Sequence, residues 1–300
     1  MNSLDELVQA VQGRTNIPKV AVARCADDFV LKAAMEAYEK KVVEPVLIGD
    51  MAKAKETAAE CGLDISQLQS FNISSDEEAV TKAVELFKNK EADLIMKGKV
   101  STATLLKAIL DKKNGVPSRG LISHVTVFPH PHEERLMLLT DAGVNIKPNL
   151  QRKADIIKNS LEVARALKIA RPKVAVLAAT EKVNYPAMPA TLDADMLSRM
   201  ADNGDFGDAA VCGPLALDLA ISEDSARRKN VQHEVAGKAD VLVPPDIESA
   251  NILYKAVGAF FGLPLASVVV GSSVPVVVPS RADSKESRFY SLALAAYLTA

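Results

Sequence analysis

The sequence has no tryptophan, and aromatic residues make up only 4% of its 300 residues. Its three cysteines, Cys25, Cys61 and Cys212, lie far apart, so their spacing indicates neither a disulfide framework nor a zinc site. The longest apolar runs, such as 266–270 and 274–278, have the length of a strand and are too short to span a bilayer. The net charge of −2 provides no basic surface for nucleic acid or an anionic membrane. We therefore expect no nucleic-acid partner and no membrane partner.

The N-terminus also lacks the pattern of a secretion signal, since residues 1–6 contain no basic segment followed by an apolar one. Together with the unpaired cysteines, this predicts a cytoplasmic protein. What the sequence does have is an ordinary globular composition, with 48% hydrophobic and 25% charged residues. Its length is compatible with one large domain or with two smaller ones.

Short β-branched segments alternate with amphipathic helical segments along the whole chain. A strand at 19–23 is followed by a helix at 27–42, and the same order recurs up to a C-terminal helix at 286–299. This alternation predicts an α/β fold with mostly parallel sheets and with ligands near the carboxyl ends of the strands.

The adjacent strands predicted at 121–128 and 135–140 interrupt the alternation, so we expect the sheet to be mixed there. A long helix at 150–167 follows this pair. We interpret the chain as two α/β/α lobes whose boundary lies near Gly143, with a cleft between them.

The segment Lys-Gly-Lys-Val-Ser-Thr at 97–102 lies where a predicted strand gives way to a helix. Gly98 permits an unusual backbone angle or the close approach of a ligand. Ser101 and Thr102 can cap the helix, whose free N–H groups can then bind an anion. An ordinary helix cap beside two solvated lysines explains the same residues equally well. The glycine spacing of a Walker loop is missing.

A second segment places Asp141, Gly143 and Asn145 directly after a predicted strand. These residues can orient a thioester or a phosphate, but they are also typical turn formers, and residue type alone does not separate the two interpretations. His124, on the preceding strand, can donate to a substrate carbonyl or be a satisfied core histidine, which is the slightly favoured interpretation.

The remaining histidines invite a test for a metal site. Pro129 precedes His130 and Pro131 separates it from His132, and no distant third ligand completes this histidine pair. We therefore predict a solvated loop at this position and no metal.

The C-terminal strand predicted at 275–278 runs into a hydroxyl-rich turn that holds Ser280, Arg281 and Asp283. A fixed guanidinium beside a hydroxyl and a helix N-terminus suits a phosphate or an oxyanion. Asp283 or Ser284 caps the following helix better than Ser280 does, which leaves Ser280 and Arg281 available to a ligand.

These segments, together with Gly-Pro-Leu-Ala-Leu-Asp at 213–218 and the stretch 236–255, resemble the phosphotransacylase family, most closely its phosphate butyryltransferases and their acetyl-specific relatives. The resemblance implies conversion of a short-chain acyl-CoA (butyryl-CoA or a branched analogue) and phosphate to acyl phosphate and coenzyme A. It implies no cofactor, because the coenzyme A thioester is a substrate, and it implies a homodimer. It also implies an isocitrate/isopropylmalate dehydrogenase-like fold in which the C-terminus returns to the first lobe, giving lobes 1–142 plus 281–300 and 143–280.

The resemblance further assigns roles to individual residues. It places Ser280 and Arg281 in the acyl-transfer centre. Acetyl-specific members carry an aspartate that takes the thiol proton at the position of Ser287, so Glu286 and Asp283 are the candidates for that role here. The predicted catalytic residues are Arg281, Ser280, Glu286 and Asp283; the predicted substrate- and phosphate-binding residues are Lys97, Gly98, Ser101, Thr102, His124, Asp141 and Asn145; the predicted coenzyme A-binding residues are Lys182, Asn184, Asp246 and Asn251.

Several alternatives stay open from the sequence. Lys182 and Asn184 can belong to a merely exposed loop, and Asp246 can be a simple helix cap. Ala142 stands where acetyl-specific members often have a cysteine, which favours the butyryl type over a phosphate acetyltransferase. Because Ser287 replaces the aspartate, a catalytically silent regulator that binds coenzyme A or acyl phosphate is a further alternative.

Overall fold

The computed structural model describes residues 1–299 and divides into two compact units. We call Leu4–Arg119 with the residues from Pro264 onward the terminal unit, and Met1–Ser3 with Gly120–Leu263 the central unit. In chain order the elements are α1 (Leu4–Gln12), β1 (Lys19–Ala23), α2 (Asp28–Glu39), β2 (Glu44–Gly49), α3 (Met51–Glu60), β3 (Ser70–Asn72), α4 (Asp76–Lys88), β4 (Leu94–Lys97), α5 (Thr102–Ile109), β5 (Ser118–Pro129), β6 (Leu136–Thr140), α6 (Leu150–Ala166), β7 (Lys173–Leu177), α7 (Pro189–Asp202), β8 (Ala210–Leu215), α8 (Leu217–Ile221), α9 (Glu223–Arg228), β9 (Val241–Val243), α10 (Ile247–Phe261), β10 (Ala266–Ser272), β11 (Val276–Val277) and α11 (Lys285–Tyr297).

The strands of the terminal unit follow the order β3-β2-β1-β4-β11-β10. All neighbours pair in parallel except β10 and β11, which are antiparallel. Strands β1, β2 and β4 are buried along almost their whole length, as their apolar, β-branched sequences predict for parallel strands with covered faces. The carboxyl ends of β1, β4 and β11 therefore lie at one edge of the sheet.

Helices complete the core of the terminal unit. α11 packs against α1, α2 and β10, while α4 packs against α5 and β1. α11 is buried along most of its length, from Ser287 to Ala296. Among residues 1–299, no helix combines the length and the apolar character that crossing a bilayer requires.

The central unit has the strand order β5-β6-β9-β7-β8. β5 and β6 are antiparallel, with Val125 opposite Thr140, and the remaining neighbours are parallel. The mostly parallel α/β class and the mixed sheet at this strand pair are thus confirmed.

The compact units change over earlier in the chain than the predicted lobes do. The prediction places residues 143–280 together, whereas β11 pairs with β4 and β10 pairs with β11. These pairings put the residues from Pro264 onward into the terminal unit. The first boundary between the units lies at Gly120, near the start of β5, and not near Gly143 as predicted. Because β5 pairs with β6, both strands belong to the central unit.

Candidate active site

A cavity of about 580 Å³ opens in the terminal unit at the carboxyl ends of β1, β4 and β11. It brings together predicted site residues from two distant segments of the chain: Lys97, Gly98, Ser101, Ser280 and Arg281. Thr102, Asp283 and Glu286 belong to the same unit but do not line the cavity. The parallel sheet explains this meeting, since it delivers the ends of β4 and β11 to one edge.

Gly98 fits its position because only glycine leaves enough room. Its N–H donates to the Ala23 carbonyl at 2.8 Å, and the Lys99 N–H donates to the Arg24 carbonyl at 2.8 Å. A Cβ atom at Gly98 would overlap the carbonyl oxygens of Ala23 and Arg24, which are backbone atoms that cannot rotate away. The glycine therefore holds the 97–101 turn against the end of β1.

Ser101 caps α5 and also lines the cavity. Its Oγ accepts a hydrogen bond from the Thr104 N–H at 3.0 Å. Thr102 is the first residue of the helix. The cap interpretation of Ser101 is therefore correct, and it leaves the remaining N–H groups of the first turn available to an anion.

Lys97 brings a half-buried ammonium to the same cavity. Its Nζ donates to the carbonyl oxygens of Gly98 at 3.3 Å and Val100 at 3.1 Å. Burial lowers the pKa of Lys97, the nearby Arg281 guanidinium lowers it further, and Asp27 acts in the opposite direction. The cavity thus concentrates positive charge.

The turn at Ser280 and Arg281 is built by its own residues. The Ser280 N–H donates to Asp283 Oδ2 at 2.7 Å, and Ser284 caps α11 by accepting from the Ser287 N–H at 3.0 Å. Neither Ser280 nor Arg281 caps α11, because Ser284 takes that position. Within residues 1–299, the exposed Arg281 guanidinium makes no hydrogen bond or ion pair.

The position where acetyl-specific relatives are expected to carry an aspartate is occupied by an interior serine. Ser287 is 2% exposed, and its Oγ accepts from the Leu265 N–H at 3.0 Å. Glu286 is exposed and does not line the cavity. The carboxylates that do line it are Asp27 and Asp76, which the sequence did not single out.

Arg288 is a further cavity residue that the sequence analysis missed. It is 6% exposed, although it is an arginine. Its Nη2 donates to the Arg281 carbonyl at 3.2 Å, and its guanidinium lies 4.6 Å from the centre of the Phe29 ring. Phe29 lines the cavity as well.

In the central unit, Asp141 and Asn145 form a loop that satisfies itself. The buried Asp141 carboxylate accepts from the Gly143 and Val144 N–H groups, each at 2.9 Å, and from the Asn145 N–H at 3.2 Å and side-chain amide at 2.6 Å. Asn145 Nδ2 also donates to the Ile122 carbonyl at 2.9 Å. The turn interpretation of these residues is therefore correct at the level of geometry.

His124 lies in the interior of the central unit. Its ring contacts Tyr254 edge-on at 6.0 Å between centroids, and its Nδ1 is 3.5 Å from Thr126 Oγ1. A Cβ atom at Gly143 would lie 3.4 Å from the ring, so Gly143 packs directly against it. This is the environment of the core histidine that the sequence slightly favours.

The residues predicted to bind coenzyme A lie in an exposed loop and at the start of α10. Lys182 and Asn184 lie in an exposed loop between β7 and α7. Asp246 is the N-cap of α10 and accepts from the Ser249 N–H at 2.9 Å. Burial alone would raise the pKa of Asp246, but the Ser249 hydrogen bonds and the nearby lysines hold it below its usual value.

Asn251 ties α10 to the Asp141 loop, because its Nδ2 donates to the Ala142 carbonyl at 3.0 Å. It thus joins two of the segments that the sequence singled out.

The histidine pair is not the solvated loop that the sequence predicts. His130 is 8% exposed, and its Nδ1 accepts from the His132 N–H at 3.2 Å, whereas His132 is exposed. The prediction was wrong for His130 because the end of β5 keeps its ring inside the fold. No group of three or more His, Cys, Asp or Glu side chains within residues 1–299 is arranged to hold a metal ion.

Comparisons with known proteins identify the family of the chain. A family described as "Phosphate acetyl/butaryl transferase" matches residues 3–82 and 77–296. The chain is 42% identical over 296 residues to a phosphate butyryltransferase of Clostridium acetobutylicum, covering 99% of this chain and 98% of that protein. It is 41% identical over 293 residues to a phosphate acetyltransferase of Thermotoga maritima, covering 98% of each.

A solved structure supports the same assignment. The branched-chain phosphotransacylase from Enterococcus faecalis V583 superposes with a TM-score of 0.83 at 31% identity, covering 94% of this chain and 99% of that one. The resemblance inferred from the sequence is therefore confirmed, and the chain belongs to the phosphate acetyl/butyryl transferase family.

Proposed function

We propose that this protein is a phosphate acyltransferase that interconverts a short-chain acyl-CoA plus phosphate and acyl phosphate plus coenzyme A. Butyryl-CoA or a branched analogue is the proposed acyl donor. The observation that carries the proposal is the cavity in which Lys97, Ser280 and Arg281 meet. The named activities of the butyryltransferase and branched-chain relatives support it.

The reaction brings two anions together and develops negative charge on the thioester oxygen. Arg281 and Lys97 place two cations at the cavity, and α2 and α5 begin there at Asp27 and Ser101. Fixed cations and helix N-termini hold the phosphate for attack on the acyl carbon and stabilise the oxyanion that forms. Ser280 supplies a hydroxyl beside the same centre. The chemistry requires no metal or prosthetic group, since the thioester itself is the activated acyl donor.

Collapse of the tetrahedral intermediate expels the thiolate of coenzyme A, which then takes a proton; the reverse reaction needs a base for the thiol. We retain Glu286 and Asp283 as the proposed proton-handling residues. Glu286 lies exposed in the first turn of α11 and is free to reorient. The Asp283 carboxylate already accepts a hydrogen bond from the Ser280 N–H. It can take up the thiol proton only if this hydrogen bond breaks and the turn opens.

The central unit supplies the remaining proposed contacts. We assign Lys182, Asn184, Asp246 and Asn251 to the coenzyme, and His124, Asp141 and Asn145 to the substrate. The hydrogen bond from Asn251 to the Ala142 carbonyl supports a common role for α10 and the Asp141 loop.

We also propose that the protein is a cytoplasmic homodimer. Three large apolar side chains of α10 are strongly exposed: Ile252 at 70%, Phe260 at 84% and Phe261 at 62%. Such a group on one helix is typical of a contact surface. Light scattering of the purified protein should give twice the mass of the chain, and a monomer at micromolar concentration would refute the dimer.

The deciding experiment follows the release of the coenzyme thiol from acetyl-, butyryl- and isobutyryl-CoA in the presence of phosphate or arsenate. We expect turnover with all three and a higher kcat/KM for butyryl- or isobutyryl-CoA than for acetyl-CoA. A preference for acetyl-CoA would make the protein a phosphate acetyltransferase. Binding of butyryl-CoA without turnover would instead identify a regulator.

A further inference from the structure

Arg288 is a buried cation without a carboxylate partner. It is 6% exposed, and within residues 1–299 no Asp or Glu forms an ion pair with it. Buried charges in proteins are normally paired, because removing a charge from water is costly. We propose that Arg288 binds a phosphate group in the cavity beside Arg281, which makes it a further substrate-binding residue of the acyl-transfer site. This inference rests on the proposed function.

The surroundings of Arg288 hold its guanidinium in place without using all of its donors. Nη2 donates to the Arg281 carbonyl at 3.2 Å, and the Phe29 ring lies 4.6 Å from the guanidinium carbon. An arginine side chain offers several N–H donors in a planar fork. Since Arg288 lines the cavity, its remaining donors are available to a ligand there.

The charges around the cavity favour an anion. Its cations come from β4 and the following turn, from the turn after β11, and from α11: Lys97, Lys99, Arg281 and Arg288. Its two carboxylates are Asp27, on the turn before α2, and Asp76, at the start of α4. Asp76 is already paired with Arg24 at 2.6 Å. The cavity therefore carries a net positive charge. The planar guanidinium of each arginine can form two parallel hydrogen bonds to a phosphate group.

The phosphate group can come from two substrates of the proposed reaction. One is inorganic phosphate or the phosphoryl group of acyl phosphate, and the other is a phosphate of coenzyme A. Both present the same oxygens to the guanidinium, so the experiment has to separate them.

The test uses Arg288→Gln, Arg288→Lys and a matched control, Arg14→Gln. Arg14 follows α1 and is also a partly buried arginine that contacts α11. It donates to the Ala296 and Tyr297 carbonyls, and its guanidinium carbon lies 5.4 Å from the centre of the Tyr297 ring. Arg14 does not line the cavity. Both glutamine variants lose a guanidinium that contacts a backbone carbonyl and an aromatic ring. Only Arg288→Gln removes a charge from the cavity.

For Arg288→Gln we expect the KM for inorganic phosphate to rise about 10- to 100-fold, the usual worth of a hydrogen bond to a charged group. Arg288→Lys should recover part of this loss, and Arg14→Gln should leave both KM values unchanged. A rise confined to the KM for acyl-CoA, and abolished with a dephospho-coenzyme A substrate, would assign the contact to the coenzyme phosphate instead. A lower kcat with both KM values unchanged would overturn the proposal, since Arg288 would then only hold the Arg281 turn.

A binding measurement keeps this inference separate from the proposed function. Inorganic phosphate alone should raise the Tm of the wild type and of Arg14→Gln, but not that of Arg288→Gln. If the wild type catalyses no acyl transfer and this pattern still holds, the proposed function fails and the phosphate site stands. If acyl transfer is observed and both phosphate and coenzyme A raise the Tm of all three proteins equally, the proposed function stands and the role of Arg288 is refuted.

Discussion

The cavity of the terminal unit and the Asp141 loop of the central unit use their polar groups in opposite ways. In the loop, the Asp141 carboxylate and the Asn145 amide are fully engaged by neighbouring groups of the same unit. In the cavity, the Arg281 guanidinium has no partner within residues 1–299, and Lys97 contacts only carbonyl oxygens. Polar groups that the fold leaves unsatisfied are open to a ligand, whereas the satisfied groups of the loop also fix its conformation.

The largest expected effect concerns Arg281 in the cavity of the terminal unit. Arg281→Ala removes an exposed cation of the cavity, and losing one donor to a developing oxyanion costs about 3 kcal/mol in the barrier. We therefore expect kcat for butyryl-CoA and phosphate to fall by about a few hundredfold, with little change in Tm, because the side chain makes no structural contact. Steady-state thiol release measures it. A loss below tenfold would mean that Arg281 is not central to the reaction.

The next effect tests how the cavity is built. Gly98→Ala forces a Cβ atom against two backbone carbonyls, so we expect a loss of stability of about 2 kcal/mol or more, with reduced activity. Gly13→Ala is the matched control, because its Cβ would meet its nearest neighbour at 3.4 Å. Urea unfolding of both variants gives the comparison. Equal stability of the two variants would show that the 97–101 turn can shift to make room for the added Cβ atom.

A smaller effect is expected for the satisfied loop. Asp141→Asn removes a carboxylate that accepts four hydrogen bonds, so stability should fall by about 1–3 kcal/mol. Asp64→Asn, at an exposed aspartate that accepts from the Ser66 N–H, should cost much less. Urea unfolding and thiol release are measured on the same samples. Full stability with lost activity in Asp141→Asn would break the comparison, because Asp141 would then serve the substrate without supporting the loop.

Much of the fold could be predicted because its signals are local. Alternating segments gave the α/β class, and Ser75 and Ser101 are helix caps that their residue type predicts. Helix α1 was not predicted, although Leu4, Leu7, Val8 and Val11 have helical spacing and are all buried. The three-residue β3 has no periodicity to detect, and α9 is a single short turn of charged residues.

The composition of the cavity was only partly predictable because it depends on strand order. Lys97 and Arg281 could be found, since Lys97 ends β4, Arg281 lies in the turn after β11, and strand ends carry ligands in α/β folds. Phe29 follows β1, which is the neighbour of β4 in the sheet, and Asp76 is held beside the end of β1 by its ion pair with Arg24. Arg288 looks like an ordinary helix-surface residue in the sequence. Its burial is a consequence of how α11 packs.

The smallest expected effect concerns the charge of Lys97 in the cavity. Burial lowers the pKa of Lys97, so its charge is lost as pH rises through a value below that of an ordinary lysine. We expect the KM for phosphate to rise a few-fold at a pH below the ordinary lysine pKa of about 10.4, whereas Lys97→Arg, which stays charged, should show a flatter profile. Lys99→Arg is the control within the same turn and should keep the wild-type profile. Identical profiles for the wild type and Lys97→Arg would mean that the Lys97 ammonium does not act on the phosphate. Phosphate binding would then depend on the other cations of the cavity, Lys99, Arg281 and Arg288.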